Sequence, residues 1–249
     1  MIDSHVHINS KILSNPDEEI KRINSNKDLE YVINIGMDID TSTESINISK
    51  DNSKFYSSIG IHPLFTEHQN PNDLYNLVTP KTVAIGEIGL DSSKPNLEEQ
   101  KRYLIKQIVI ANELGLPVII HSSNTNQEII KIFKTIVKPI HGCVFHCFQP
   151  DLETLKYLIE NNYYISFAGR ITYPTAKKSI EVLKTIPKDL YLVETDAPYI
   201  SPHPFRDEIN HSENVSLIIK RIADLLDKDF KEIENQTKEN TLRLFKKIK

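Results

Sequence analysis

Two of the nine histidines, His5 and His7, stand one residue apart at the end of the apolar run that opens with Met1 and Ile2. In an extended chain successive side chains alternate faces, so His5 and His7 share one face while Val6 packs behind it. Two imidazoles so placed form a fork for a divalent cation, although such a pair alone suits two ordinary surface or core histidines equally well. Four later stretches change that balance: Gly86-Glu87-Ile88-Gly89-Leu90-Asp91, Ile119-Ile120-His121-Ser122, Val144-Phe145-His146-Cys147 and Val193-Glu194-Thr195-Asp196. Each puts a potential ligand directly after a short β-type apolar run, which is where a parallel barrel presents its catalytic groups.

The elements that must carry these side chains alternate along the chain. Strands are expected at the N-terminal His pair, at 31–36, 55–61, 82–87, 117–121, 140–147, 163–168 and 190–196, with helix-like segments between most of them. A polar helix opens at Asn15-Pro16 and runs to about Asn24. Asn96, with Glu99 three residues on, predicts a capped long helix closed by Gly115 and Pro117, with Leu104, Ile108 and Ala111 facing the sheet. Further helices are predicted at 126–136, 152–161 and 175–185. A Pro-rich loop follows Asp196. Two last helices, one with Val215, Ile218, Ile219, Ile222, Leu225 and Leu226 on one face, the other with Phe230, Ile233, Leu242 and Phe245, close the chain. The pattern is that of an α/β fold, a TIM-type (β/α)8 barrel in which residues 1–249 form a single domain.

Composition narrows the function classes. With 39% hydrophobic and 26% charged residues the chain reads as an ordinary globular protein. No segment has the apolar length of a membrane span, and acidic Asp3 and the His pair follow Met1 at once where a signal region would be basic and apolar, so a cytoplasmic protein is expected. Cys143 and Cys147, read along one strand, predict buried or half-buried thiols and no disulfide. A formal net charge of -4 argues against a broad basic surface that wraps nucleic acid, but not against a nuclease whose cations attract phosphate.

Taken in order, Asp3-Ser4-His5-Val6-His7, Gly60-Ile61-His62-Pro63, Gly86 to Asp91, Leu116 to Ser122, His146-Cys147-Phe148 and Glu194-Thr195-Asp196-Ala197-Pro198-Tyr199 resemble the TatD family of metal-dependent deoxyribonucleases, a branch of the amidohydrolase-type barrels. The resemblance covers essentially the whole chain. It implies two divalent metal ions: His5, His7 and Asp196 on one, His121 and His146 on the other, and Glu87 bridging them. Magnesium is expected from the family, while four imidazoles suit manganese or zinc. Many amidohydrolases use a carboxylated lysine as the bridge; here that position is Glu87, which favours the TatD branch.

The implied reaction is hydrolysis of phosphodiester bonds by a metal-activated water, a 3′-5′ exonuclease acting on DNA, with no obligate protein partner. Asp196 is expected to orient the water and take its proton. His62 resembles the family histidine that contacts the substrate phosphate, and Arg206 its post-barrel arginine, with Asn210 nearby; Asp91 is expected beside the substrate. Asp3 and Glu194 are read as supports, with Asp3 holding a ligand ring by a hydrogen bond. His68, His141 and His211 match no motif position and read as structural or solvent-facing, and His203 as a loop residue.

The substrate-facing residues depart from the family pattern. Ser123 stands where an arginine often follows His-Ser; Arg170, at the end of strand seven, could replace it but reads first as a surface arginine. Gln149-Pro150 stand where Ser-Gly is common, Ser92 where an aromatic is common, and His211-Ser212 where an acidic residue and proline are common. Two rival readings follow: a metallohydrolase of ester or amide bonds such as a D-aminoacyl-tRNA deacylase, and a non-catalytic barrel that binds nucleic acid or a partner. The second predicts lost ligands, and all six are present.

Overall fold

The computed structural model describes all 249 residues. Eight parallel strands lie in the order β1 to β8: Ile2–Val6, Tyr31–Ile35, Phe55–Ile59, Thr82–Asp91, Val118–Ser123, Cys143–Phe145, Tyr164–Phe167 and Tyr191–Val193. The sheet curls until Val6 of β1 bridges Ala197 just after β8, which makes a single (β/α)8 barrel. Strands covered on both faces need apolar side chains throughout, and Val32, Ile33, Ile35, Val83, Ile85, Val118, Ile120 and Ile165 are all within 1% of complete burial.

Eight α-helices, α1 to α8, pack outside: Pro16–Ser25, Ile39–Asp51, Leu97–Leu114, Asn126–Thr135, Leu152–Glu160, Lys177–Thr185, Val215–Leu226 and Phe230–Leu244. The second has no counterpart in the sequence reading. Its inner face is made of the serines Ser42, Ser45 and Ser49, which leave no apolar stripe to find. Small residues let the helix approach closely: a Cβ on Gly36 would lie 2.2 Å from Ser42 Oγ. Ser45 Oγ donates to the Asn34 carbonyl of β2 at 2.7 Å, Ser42 Oγ to the Gly60 carbonyl just after β3 and Ser49 Oγ to the Ile46 carbonyl of its own helix, so none of the hydroxyls stays unsatisfied.

Several expected boundaries move. Asn96 makes no capping bond and sits in the left-handed region at φ 61°; Glu99 pairs with Arg102, so the expected capping box is absent. Gly115 closes α3 as expected, at φ 68°. The fourth strand does not stop at Glu87 but continues to Asp91, pairing Gly89 with His121 and Asp91 with Ser123. The sixth strand begins only at Cys143, and Ile140 is 64% exposed in the turn before it. Cys143 and Cys147 therefore do not share a strand, and both are free thiols. No helix is long and apolar enough to cross a membrane.

Candidate metal centre

The histidines converge at the C-terminal ends of the strands. His5 and the residue after β1, His7, bring their Nε2 atoms within 3.1 Å of each other. Glu87 enters from the middle of β4 and divides its carboxylate between two groups. Its Oε2 lies 3.5 Å from His5 Nε2 and 3.7 Å from His7 Nε2. Its Oε1 lies 2.8 Å from His121 Nδ1 and 2.7 Å from His146 Nε2. Asp196 Oδ1 completes the first group, 3.3 Å from His7 and 3.7 Å from His5. All six expected ligands meet here.

Two close approaches position this carboxylate and its neighbours. A Cβ on Gly89 would lie 1.9 Å from the His121 carbonyl oxygen, and one on Gly86 2.6 Å from Ile119 Cβ. Only glycine lets β4 press against β5 at these points. Asp196 sits at φ 56°, a left-handed turn that Asp tolerates better than most residues, where β8 gives way to the loop.

The electrostatics are those of a cation site. Burial opposes ionisation of Glu87, yet His146, His62 and His121 together hold its carboxyl well below the ordinary range. Burial likewise opposes ionisation of Asp196, and His7, His5 and His146 outweigh it. Burial depresses His5, with His146 adding to the effect. Burial also disfavours a charged His146, but Glu87 and Glu194 raise it well above the usual value. Four imidazoles and two carboxylates thus crowd a buried space, and the outward nitrogens His5 Nδ1, His7 Nδ1, His121 Nε2 and His146 Nδ1 have no hydrogen-bond partner. Acceptors that face one another need a shared positive charge, so this donor set fits divalent cations.

His62 lies on the Glu87 Oε1 side, 3.6 Å away. Its Nδ1 accepts the Leu64 amide at 3.1 Å, and burial lowers its pKa to about 3, against the pull of Glu87. The neutral ring must then carry its proton on Nε2, which makes it a donor toward the site and not a ligand.

The supports differ from expectation in part. Glu194 accepts from Cys147 N at 2.6 Å and Ser166 Oγ at 2.7 Å, and its Oε1 lies 3.4 Å from His146 Nδ1, so it backs a candidate ligand ring. Asp3 touches no ring; it binds the backbone and side chain of Thr195. Asp91, expected beside the substrate, accepts from Ser93 and turns its Oδ2 to His121 Nε2 at 3.7 Å. Arg206, expected as a phosphate donor, is exposed and rests over the Tyr173 ring at 4.8 Å. Asn210 is fully buried and ties Thr195 O to Tyr199 O. Arg170, His68, His141 and His203 are exposed, and His211 pairs with Glu19 at 2.7 Å. Burial pushes the Cys147 thiol up to about 12, so it is no nucleophile.

Two supports were not foreseen. Gln107 of α3 brackets Ile61, accepting from its amide at 2.7 Å and donating to its carbonyl at 3.0 Å, and so fixes the chain before His62. Gln100 does the same for Asp91. Both lie on the buried face of a helix where apolar residues would be routine, the one signal that could have singled them out.

The match to known proteins agrees with this geometry. The family model described as TatD related DNase matches residues 2–246. The chain belongs to the TatD family. An uncharacterized metal-dependent hydrolase of Bacillus subtilis, YabD, is 34% identical over 252 residues and covers 99% of both chains. One from Mycoplasma pneumoniae is 30% identical, covering 98% of each. The crystal structure of YjjV, a TatD homologue from Escherichia coli, superposes with a TM-score of 0.89 at 26% identity, covering 99% of this chain and 98% of that one. As a TatD-family member, this protein is a metal-dependent hydrolase.

Proposed function

We propose that this TatD-family hydrolase is a deoxyribonuclease that shortens DNA from its 3′ end with two divalent cations, one held by His5, His7 and Asp196 and the other by His121 and His146, with Glu87 between. The observation that carries the reading is the division of the Glu87 carboxylate, one oxygen toward each histidine pair. An anionic bridge of this kind is what two mutually repelling cations require. Bound there, they supply Lewis acidity and an attraction for phosphate in a protein of net negative charge.

The chain's own residues do the rest. Asp196, ionised at the edge of the cluster, orients the attacking water and accepts its proton. His62, neutral with its proton on Nε2, donates to a phosphate oxygen. Glu194 stands behind the His146 ring at 3.4 Å and favours its ligand nitrogen facing inward, while Asp91 lies near His121 at 3.7 Å without a hydrogen bond to it. Free thiols at Cys143 and Cys147 accord with a reducing cytoplasm.

One observation favours a second reading. The rim beyond β5 and β6 is neutral and self-satisfied: Ser92 Oγ donates to the Ser123 carbonyl and Gln149 Oε1 accepts the Asn124 amide. A site without a cationic clamp there would also accept a carboxylic ester, such as an aminoacyl ester. The test is metal-free protein with 5′-labelled single-stranded DNA and added magnesium, manganese or zinc, beside His121→Ala and Glu87→Ala. Stepwise shortening by wild type, lost in both variants, supports the nuclease and selects the metal. Intact DNA with every metal, alongside turnover of aminoacyl esters, replaces it with the ester reading.

A further inference from the structure

The weakest join of the barrel lies under half of the proposed metal centre. Every strand from β1 to β8 pairs with the next, but β8 and β1 share only the bridge between Val6 and Ala197. Backbone contacts across this seam are His7 N to Ala197 O at 2.7 Å and Asp196 N to His5 O at 3.0 Å. Yet three proposed ligands, His5, His7 and Asp196, stand on its two sides. Something other than a ladder must hold them in register.

Asp3 occupies the gap. It is fully buried, and its Oδ1 accepts the Thr195 amide at 2.9 Å. Its Oδ2 accepts the hydroxyls of Thr195 and Ser212, each at 2.6 Å. Thr195 passes the constraint on: its Oγ1 accepts the Ala197 amide at 3.1 Å, and its carbonyl accepts from Asn210 at 2.8 Å. The residue between Thr195 and Ala197 is Asp196.

We infer that Asp3 is a positioning residue that stands in for the missing β8–β1 ladder and, through Thr195, sets the reach of Asp196 toward His5 and His7. It acts on the backbone of the opposite strand and not on an imidazole. A fully buried carboxyl that ties the amide and hydroxyl of Thr195 and the hydroxyl of Ser212 to β1 fixes distances more rigidly than two peptide bonds at a frayed edge. The inference rests on the assignment of Asp196 as a ligand.

The test titrates manganese alone into metal-free full-length protein by calorimetry, with thermal melts to check the fold. Asp3→Asn and Thr195→Val are each expected to weaken one class of site about tenfold, the scale of losing a group behind a ligand, and to leave the other class unchanged. The decisive comparison is Asp3→Asn added to Asp196→Ala. Its further effect should shrink to less than about twofold, because the path through Asp196 is already cut. The full factor persisting in that background, or unchanged affinity in Asp3→Asn, overturns the inference. Should Asp3→Asn not fold, Ser212→Ala and Thr195→Val carry the same cycle. Should wild type bind one ion only, the two-cation reading fails, and the cycle is read on that ion, where coupling keeps the role of Asp3 and additivity ends it.

Discussion

The two ends of the barrel use charge in opposite ways. A cleft of about 930 Å3, rich in charge, opens at the N-terminal end among Met1, Lys27, Lys54, Lys231, Glu234 and Lys249. Several of its charges are paired. Lys54 Nζ donates to the carbonyls of Ile23 and Asn26 at the end of α1, the Met1 amine pairs with Glu234 at 3.2 Å, and Lys231 with the same carboxylate at 2.6 Å. At the other end, imidazoles and carboxylates converge with their lone pairs facing one another, and no lysine or arginine pairs with Glu87 or Asp196. Cleft size is therefore a poor guide to chemistry here. Paired charge at the N-terminal end ties down helix ends; the imidazoles and carboxylates gathered at the C-terminal end form a donor set that fits a cation.

Glu87→Ala should test that contrast hardest. It removes the shared carboxylate, and hydrolysis is expected to fall about a thousandfold, the upper scale for losing one oriented charge in a buried site. Retention of a tenth of the wild-type rate would remove Glu87 from the centre. Next in size, Gly89→Ala forces a methyl group against the His121 carbonyl and should cost about 3 kcal/mol of stability in a urea titration. A loss below about 1 kcal/mol would mean that β4 and β5 separate easily.

Cation binding should stabilise by a similar amount. Manganese at a hundredfold excess over its Kd should add about 2.7 kcal/mol, seen as a raised Tm that a chelator reverses. A Tm indifferent to metal would contradict the reading of the crowded acceptors. Lys54→Met, at the N-terminal end, should cost about 1 kcal/mol and leave kcat unchanged; a change in kcat would mean the two ends are coupled. The smallest effect is expected for Arg206→Ala. Its guanidinium lies on an exposed ring, so stability should change by roughly 0.5 kcal/mol, with KM within about twofold. A tenfold rise in KM would return Arg206 to the substrate.

Much of this was legible from local pattern. Parity along β1 put His5 and His7 on one face, and apolar runs before His121, His146 and Asp196 marked strand ends whose side chains meet in the barrel mouth. Legibility failed where small or polar residues do the packing. Ser42, Ser45 and Ser49 form a helix face with no hydrophobic period, and Gln100 and Gln107 work from inside a helix whose apolar stripe hides them. Asn96 had the chemistry of a cap, but the chain reaches α3 through a left-handed turn that points its side chain elsewhere.

The sequence by itself determined the alternation of strands and helices and the barrel, because hydrophobic period is a property of short stretches; the choice of six candidate ligands came from the resemblance to the TatD family. Only the tertiary structure decided which partners Asp3, Asp91, Asn210 and Arg206 meet. Each is polar, and its role depends on which partner from a distant segment arrives beside it: Thr195 for Asp3 and Asn210, His121 for Asp91, Tyr173 for Arg206. Those meetings follow from barrel closure, which no local pattern encodes.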